Sequence, residues 1–174
     1  MKEIKKVINP NFNINKLIIG NKSVIMKENE FDLIHLAIRS RLRKKIKELK
    51  KLYQALIDGD DPLSFHSRCD NIPNALLLIK STGNRRFGGF TSAKWSSENA
   101  GYIDDKNAFL FSLDKQKIYS YSGSGKAIYN NKDYGPTFGD GEIHISQHGI
   151  LDNNLSTYES NSNWNYYYHS DKNG

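Results

Sequence analysis

The run Asn74-Ala75-Leu76-Leu77-Leu78-Ile79, the turn signal Thr82-Gly83-Asn84, and the return Phe87-Gly88-Gly89-Phe90-Thr91 together decide the fold. A short apolar run, a Gly-Asn punctuation and an aromatic run of similar length predict an antiparallel hairpin with a buried face. Gly88 and Gly89 lie inside the second run, which predicts a bulge or a close backbone approach. Downstream, strands are predicted at Ala108–Leu113, Lys117–Tyr121, Ala127–Tyr129 and Glu142–Ser146, with Gly, Asn, Ser and Asp between them. Upstream the period changes. Phe31, Ile34, Ile38, Leu42, Ile46, Leu49, Tyr53 and Leu56 recur three and four apart, one apolar stripe at helical period. Helices first and antiparallel strands after them predict an α+β domain.

The stripe predicts one long helix from Glu28 to Ile57, stopped at Asp58-Gly59-Asp60-Asp61, where glycine permits a left-handed cap. Asp61-Pro62 reads as an N-cap followed by proline in the first turn, opening a short helix that carries Leu63, Phe65, His66 and Cys69. Lys16-Leu17-Ile18-Ile19 predicts a short strand. The region from Asp152, with six Asn and the aromatics Trp164 and Tyr166–Tyr168, reads as a long loop leading into a strand. Ser170–Gly174 has a loop's composition. One sheet is therefore expected to keep an unpaired edge near Tyr166–Tyr168, unless Ile4–Ile8 covers it.

With 174 residues the chain has the size of one ordinary domain. A hydrophobic share of 37% and a mean hydropathy of −0.66 describe a polar globular domain. No apolar run approaches the roughly 20 residues that span a bilayer. Met1–Ile8 has no continuous apolar core, so a secretory signal is not expected. The single Cys69 cannot form an internal disulfide or a thiolate zinc site by itself, and the expected location is cytoplasmic.

The net charge of +6 is local. Arg39, Arg41, Arg43, Lys44, Lys45, Lys47, Lys50 and Lys51 face only Glu48, a stretch of +7, whereas the other 17 basic and 18 acidic residues nearly cancel. These eight residues are the candidate interaction surface, for an acidic partner, nucleic acid or anionic lipid. A solvated helix face with no ligand explains them too.

Catalytic patterns are weak. Ser122-Gly123-Ser124-Gly125-Lys126-Ala127 lacks the first glycine and the final Ser/Thr of a phosphate loop and reads as a tight turn. His144 and His148 are four apart, but Glu142–Ser146 alternates like a strand, so the pair does not share a helical face. His66 and Cys69 are neighbours on a helix and form a possible nucleophilic pair, set against a buried cysteine and a helix-end hydrogen bond. Asp58-Gly59-Asp60-Asp61 lacks the alternate ligands and distal Glu of a calcium loop. No catalytic, metal or cofactor residue is assigned.

An ordered series of motifs is more specific than any of these. Leu52-Tyr53-Gln54-Ala55, Asp58-Gly59, Phe65-His66-Ser67-Arg68-Cys69-Asp70-Asn71 and Leu78-Ile79-Lys80-Ser81 come first. Phe87-Gly88-Gly89-Phe90-Thr91-Ser92, Trp95-Ser96, Gly101-Tyr102, Ala108-Phe109-Leu110-Phe111-Ser112-Leu113 and Gly135-Pro136-Thr137-Phe138-Gly139 follow. The series resembles the TLDc domain, from about Asn13 to Tyr168. Residues 1–12 then read as an N-terminal extension and 13–174 as a single domain lacking the usual last strand.

The resemblance implies two antiparallel sheets packed as a sandwich with flanking helices. It also implies eukaryotic origin, a link to oxidative-stress protection and, in animal members, binding to the vacuolar proton-pumping ATPase. No enzymatic mechanism is established for the family, so a protein partner such as a proton-pump subunit is expected, ahead of nucleic acid or a membrane surface. Asn107 stands where family members often carry an acid, just before the Ala108–Leu113 strand.

Overall fold

The computed structural model describes residues 25–81 and 83–145, together with the backbone of 168–170. After a 3-10 turn at Glu28–Glu30 come helix α1 (Phe31–Leu42), the single turn α2 (Ala55–Asp58) and α3 (Pro62–Cys69). The strands are β1 (Ala75–Lys80), β2 (Arg86–Thr91), β3 (Gly101–Ile103), β4 (Phe109–Ser112) and β5 (Lys117–Tyr121). They continue with β6 (Ile128–Asn130), β7 (Thr137–Phe138), β8 (Ile143–His144) and β9 (Tyr168–Ser170). Two antiparallel sheets result, ordered β1-β2-β4-β5-β9 and β3-β6-β7-β8. The domain is an α+β sandwich, as expected.

Its layers follow from strand alternation. Ala75, Leu77, Ile79, Phe87, Leu110, Tyr119 and Tyr121 of the larger sheet meet Ile128, Phe138 and Ile143 of the smaller one. The alternate set, Leu76, Leu78, Phe90, Phe109, Phe111 and Ile118, packs under Phe31, Ile34, Ala37 and Ile38 of α1. The larger sheet is thus covered on both faces, which is why β4 reads as the unbroken run Phe109-Leu110-Phe111 with every residue fully buried.

The β1–β2 hairpin keeps the expected turn, with Ser81 N donating to Arg85 O at 2.9 Å and Asn84 in the left-handed region. Gly88 and Gly89 form no bulge: both stand in regular register, opposite Leu78 and Leu77. Their role is close approach. A Cβ on Gly88 would fall 1.9 Å from the Leu77 carbonyl oxygen, and one on Gly89 would fall 2.7 Å from the Phe138 ring. Trp95 fills the inter-sheet core edge-on to Phe65 and Phe138.

The single helix expected from Glu28 to Ile57 is not formed. α1 ends at Leu42, and Arg43 takes the left-handed conformation (φ 52°) with its N–H on Arg39 O at 3.0 Å. Residues 43–54 are non-helical. Extending the helix would stack Arg39 on Arg43, Arg41 on Lys45, Arg43 on Lys47 and Lys47 on Lys51, each an unfavourable like-charge pair at i,i+4. The apolar stripe is served differently. Leu42, Ile46 and Leu49 still pack against the α1-side core, but Leu52 and Tyr53 reach the inter-sheet core. A straight rod cannot serve both sides of a sheet, and an irregular segment can. Leu56, the last member of the stripe, is 70% exposed.

The short helix after Asp61 is α3, capped as expected: Asp61 Oδ1 accepts from Ser64 N at 2.9 Å, and Pro62 sits in the first turn. Leu63 points outward at 77% exposure. β9 pairs with β5 from Tyr119↔Ser170 to Tyr121↔Tyr168 and is an edge strand of its sheet among the described residues. The expected strand at Lys16–Ile19 and the covering segment Ile4–Ile8 lie outside the described residues.

Candidate functional site

Two places draw together residues able to do chemistry: the α3 C-terminus and the basic stretch after α1. At the first, His66 is 5% exposed. Its Nδ1 lies 2.6 Å from Asp70 Oδ1, and its Nε2 faces the carbonyls of Asn131 and Tyr134, both at 3.0 Å. Asp70 in turn accepts from Ser97 N at 2.7 Å, and its backbone bridges to Trp95. This network ties α3 to the β6–β7 turn and to the loop after β2. Both ring nitrogens face oxygen atoms of the fold.

Cys69 is buried one turn further on. Burial pushes its thiol up to about 11, with Asp70 raising it further, Arg68 opposing and Asp58 adding a little. The two halves of a nucleophilic pair are present in sequence but separately committed to packing. Beside them an open depression of about 480 Å³ is lined by Leu63, His66, Ser67, Ser97, Lys132 and Asp133.

Other candidate motifs are absorbed by the fold. Asp58 accepts from Gln54 N at 2.7 Å and pairs with Arg68 at 3.1 Å, while Asp61 caps α3, so the acidic cluster ends one helix and opens the next. The Ser122–Lys126 segment is a turn with Gly123 and Gly125 at positive φ, and Lys126 reaches Asp140 at 3.0 Å. His144 lies edge-on to Tyr134 and within 3.1 Å of Thr137 Oγ1; His148 lies outside the described residues. No group of three metal-ligating side chains occurs among the described residues.

One carboxylate went unnoticed in the sequence. Asp105 is 7% exposed and accepts from Thr91 Oγ1, Ser92 N, Ser92 Oγ, Ala93 N and Asn107 N at 2.6–3.2 Å. Burial works to raise its carboxyl, but hydrogen bonds from Ser92, Thr91 and Asn107 outweigh it and hold the group below the usual range. Asn107 adds a bond from Nδ2 to Ser92 Oγ at 3.0 Å. Asn107 thus braces a carboxylate two positions upstream. The signal available was the density of Ser, Thr and Asn around one aspartate, which marks a turn network.

The eight cations of the second place divide. Arg41 belongs to the fold: its guanidinium donates to Ala37 O at 3.1 Å and Ser120 Oγ at 2.6 Å, and lies 4.7 Å over the Phe109 ring. Lys51 reaches Gln54 Oε1 at 3.0 Å. Arg39, Arg43, Lys44, Lys45, Lys47 and Lys50 are exposed, and none takes part in an ion pair among the described residues. Leu42, Ile46 and Leu49, interspersed with them in the chain, are half-buried against the α1-side core. Leu36, 61% exposed, lies on α1 three positions before Arg39. Among the described residues no helix is long and apolar enough to cross a membrane.

Comparison with curated proteins gives no match. The TLDc domain family model matches residues 19–174, spanning the helices, both sheets and the His66–Asp70 network. The chain belongs to the TLDc domain family.

Proposed function

We propose that this chain is a non-enzymatic interaction domain of the TLDc type, acting in the cytoplasm through a protein partner in protection against oxidative stress. The partner that the family resemblance implies is the vacuolar proton-pumping ATPase. One observation carries the non-enzymatic reading. The only cysteine is buried and held protonated, and the histidine beside it has both nitrogens engaged by acceptors. A peroxide-reducing thiol needs the opposite, an exposed thiolate of lowered pKa.

Affinity purification of the tagged chain from its native cell tests the reading. Enrichment of proton-pump subunits, unchanged in Cys69→Ala, is the expected result. Peroxide consumption by the purified protein that disappears in Cys69→Ala, without any enriched protein partner, would overturn it.

A further inference from the structure

We propose that the face formed by Leu36, Arg39, Arg43 and the strip Lys44–Lys50 is a docking surface for an anionic phospholipid bilayer, a contact separate from any protein partner. Six exposed cations fall within residues 39–50, and Glu48 is the only acid among those residues. Half-buried Leu42, Ile46 and Leu49 pack against the α1-side core and tether this stretch to the domain, while its cations stay exposed. A polybasic cluster of this size is what an anionic leaflet attracts, each cation near the surface strengthening binding severalfold. Leu36 lies on the exposed side of α1, three positions before Arg39, and offers one aliphatic side chain to the interface.

The chemistry favours lipid over the other polyanions. Four of the six cations are lysines on non-helical backbone, point charges without the planar fork that fixes a carboxylate or phosphate in place. Lipid headgroups diffuse and gather beneath any arrangement of cations, whereas a folded acidic protein must match their positions. No aromatic residue occurs between Phe31 and Tyr53, and Tyr53 packs on Phe65 with its hydroxyl on Gly59 O, so the strip has no ring on which bases can stack. Since α1 stops at Leu42, the strip forms no rod to enter a major groove.

Co-sedimentation with phosphatidylcholine vesicles, with and without phosphatidylserine, tests the proposal on the full chain. Binding to the phosphatidylserine vesicles alone is expected, falling steeply as salt is raised. The triple variant Lys44→Gln, Lys45→Gln, Lys47→Gln is expected to lose roughly 100-fold in partitioning. Lys94→Gln, Lys106→Gln, Lys115→Gln removes the same charge from exposed positions elsewhere and is expected to retain most of the binding. Leu36→Ser is expected to weaken binding a few-fold at every salt concentration. These surface substitutions leave the fold intact.

Equal binding to both vesicle types, or equal loss in the two triple variants, would overturn the proposal. So would failure to bind phosphatidylserine vesicles at low salt, including the case in which polyuridylate or polyglutamate is held by the same three lysines. The protein-partner reading is untouched by any of these outcomes, because it is read from the purification.

Discussion

Cys69 illustrates how one residue's environment outweighs its reactivity in isolation. A free thiol beside a histidine reads either as a reactive pair or as a buried, quiet cysteine, and here burial and two nearby aspartates keep it protonated, with its pKa pushed up to about 11. Alkylation of the native protein near neutral pH is expected to be slow, and to become fast only when the chain is unfolded. Cys69→Ala is expected to cost about 1 kcal/mol of stability through a small cavity. A mass-spectrometric alkylation time course and a urea titration measure the two effects. Rapid modification of the folded protein would contradict the assignment. The same lesson applies to Arg41, which counts as one charge among eight in the sequence but spends its guanidinium on Ala37, Ser120 and the Phe109 ring. Nothing in the adjacent sequence distinguishes it from Arg39 or Arg43; two of its three partners, Phe109 and Ser120, are 68 and 79 positions away.

At the scale of the element, the apolar stripe located the residues that pack but not the backbone that carries them. Ile38 is 4% exposed in α1, so Ile38→Asp places an unpaired charge in the core and is expected to unfold the domain. Leu56→Asp is expected to leave the melting temperature unchanged, because that side chain is in solvent. A helix continuing to Ile57 would make both substitutions severe, so circular dichroism melts of the pair separate the two arrangements. Arg43→Gly relieves a left-handed non-glycine residue at the α1 cap and is expected to stabilise by about 0.5–1 kcal/mol. A continuous helix would instead be weakened by glycine at that position. The helix terminus was legible in principle, since like charges four apart accumulate from Arg39 onward with one acid to relieve them. The periodicity of Leu42, Ile46 and Leu49 masked it.

For the whole molecule, the layers are joined by a few polar ties, and buried titratable groups make them pH-sensitive. Arg86 in β2 grips both oxygens of Glu30 at 2.8 Å and Asp114 at 3.0 Å, fastening the start of α1 to the sheet and the β4–β5 turn. His35 lies in the α1–sheet core, where burial lowers its pKa below the usual 6.5, Arg39 assists and Asp32 opposes. The unfolded chain therefore takes up that proton more readily, and stability falls as pH drops below about 6.5. Asp105, held below its ordinary 3.8, contributes stability above that value which is lost as pH falls through its lower folded value. Urea midpoints are expected to decline on acidification, with the upper step flattened in His35→Leu and the lower one reduced in Asp105→Asn. A midpoint that rises between about pH 7 and pH 5 would contradict the His35 contribution. The α+β class, the β1–β2 hairpin, the α3 cap at Asp61 and the ordered motifs of the TLDc family are legible in the chain alone. These rest on local propensity, capping and period, which act over a few residues. Where α1 ends, which cations remain free of the fold, why Gly88 and Gly89 must be glycine, and that Asp105 is spent on architecture emerge from the packing. Each of those depends on groups far apart in the chain, and on a segment having to serve both faces of one sheet.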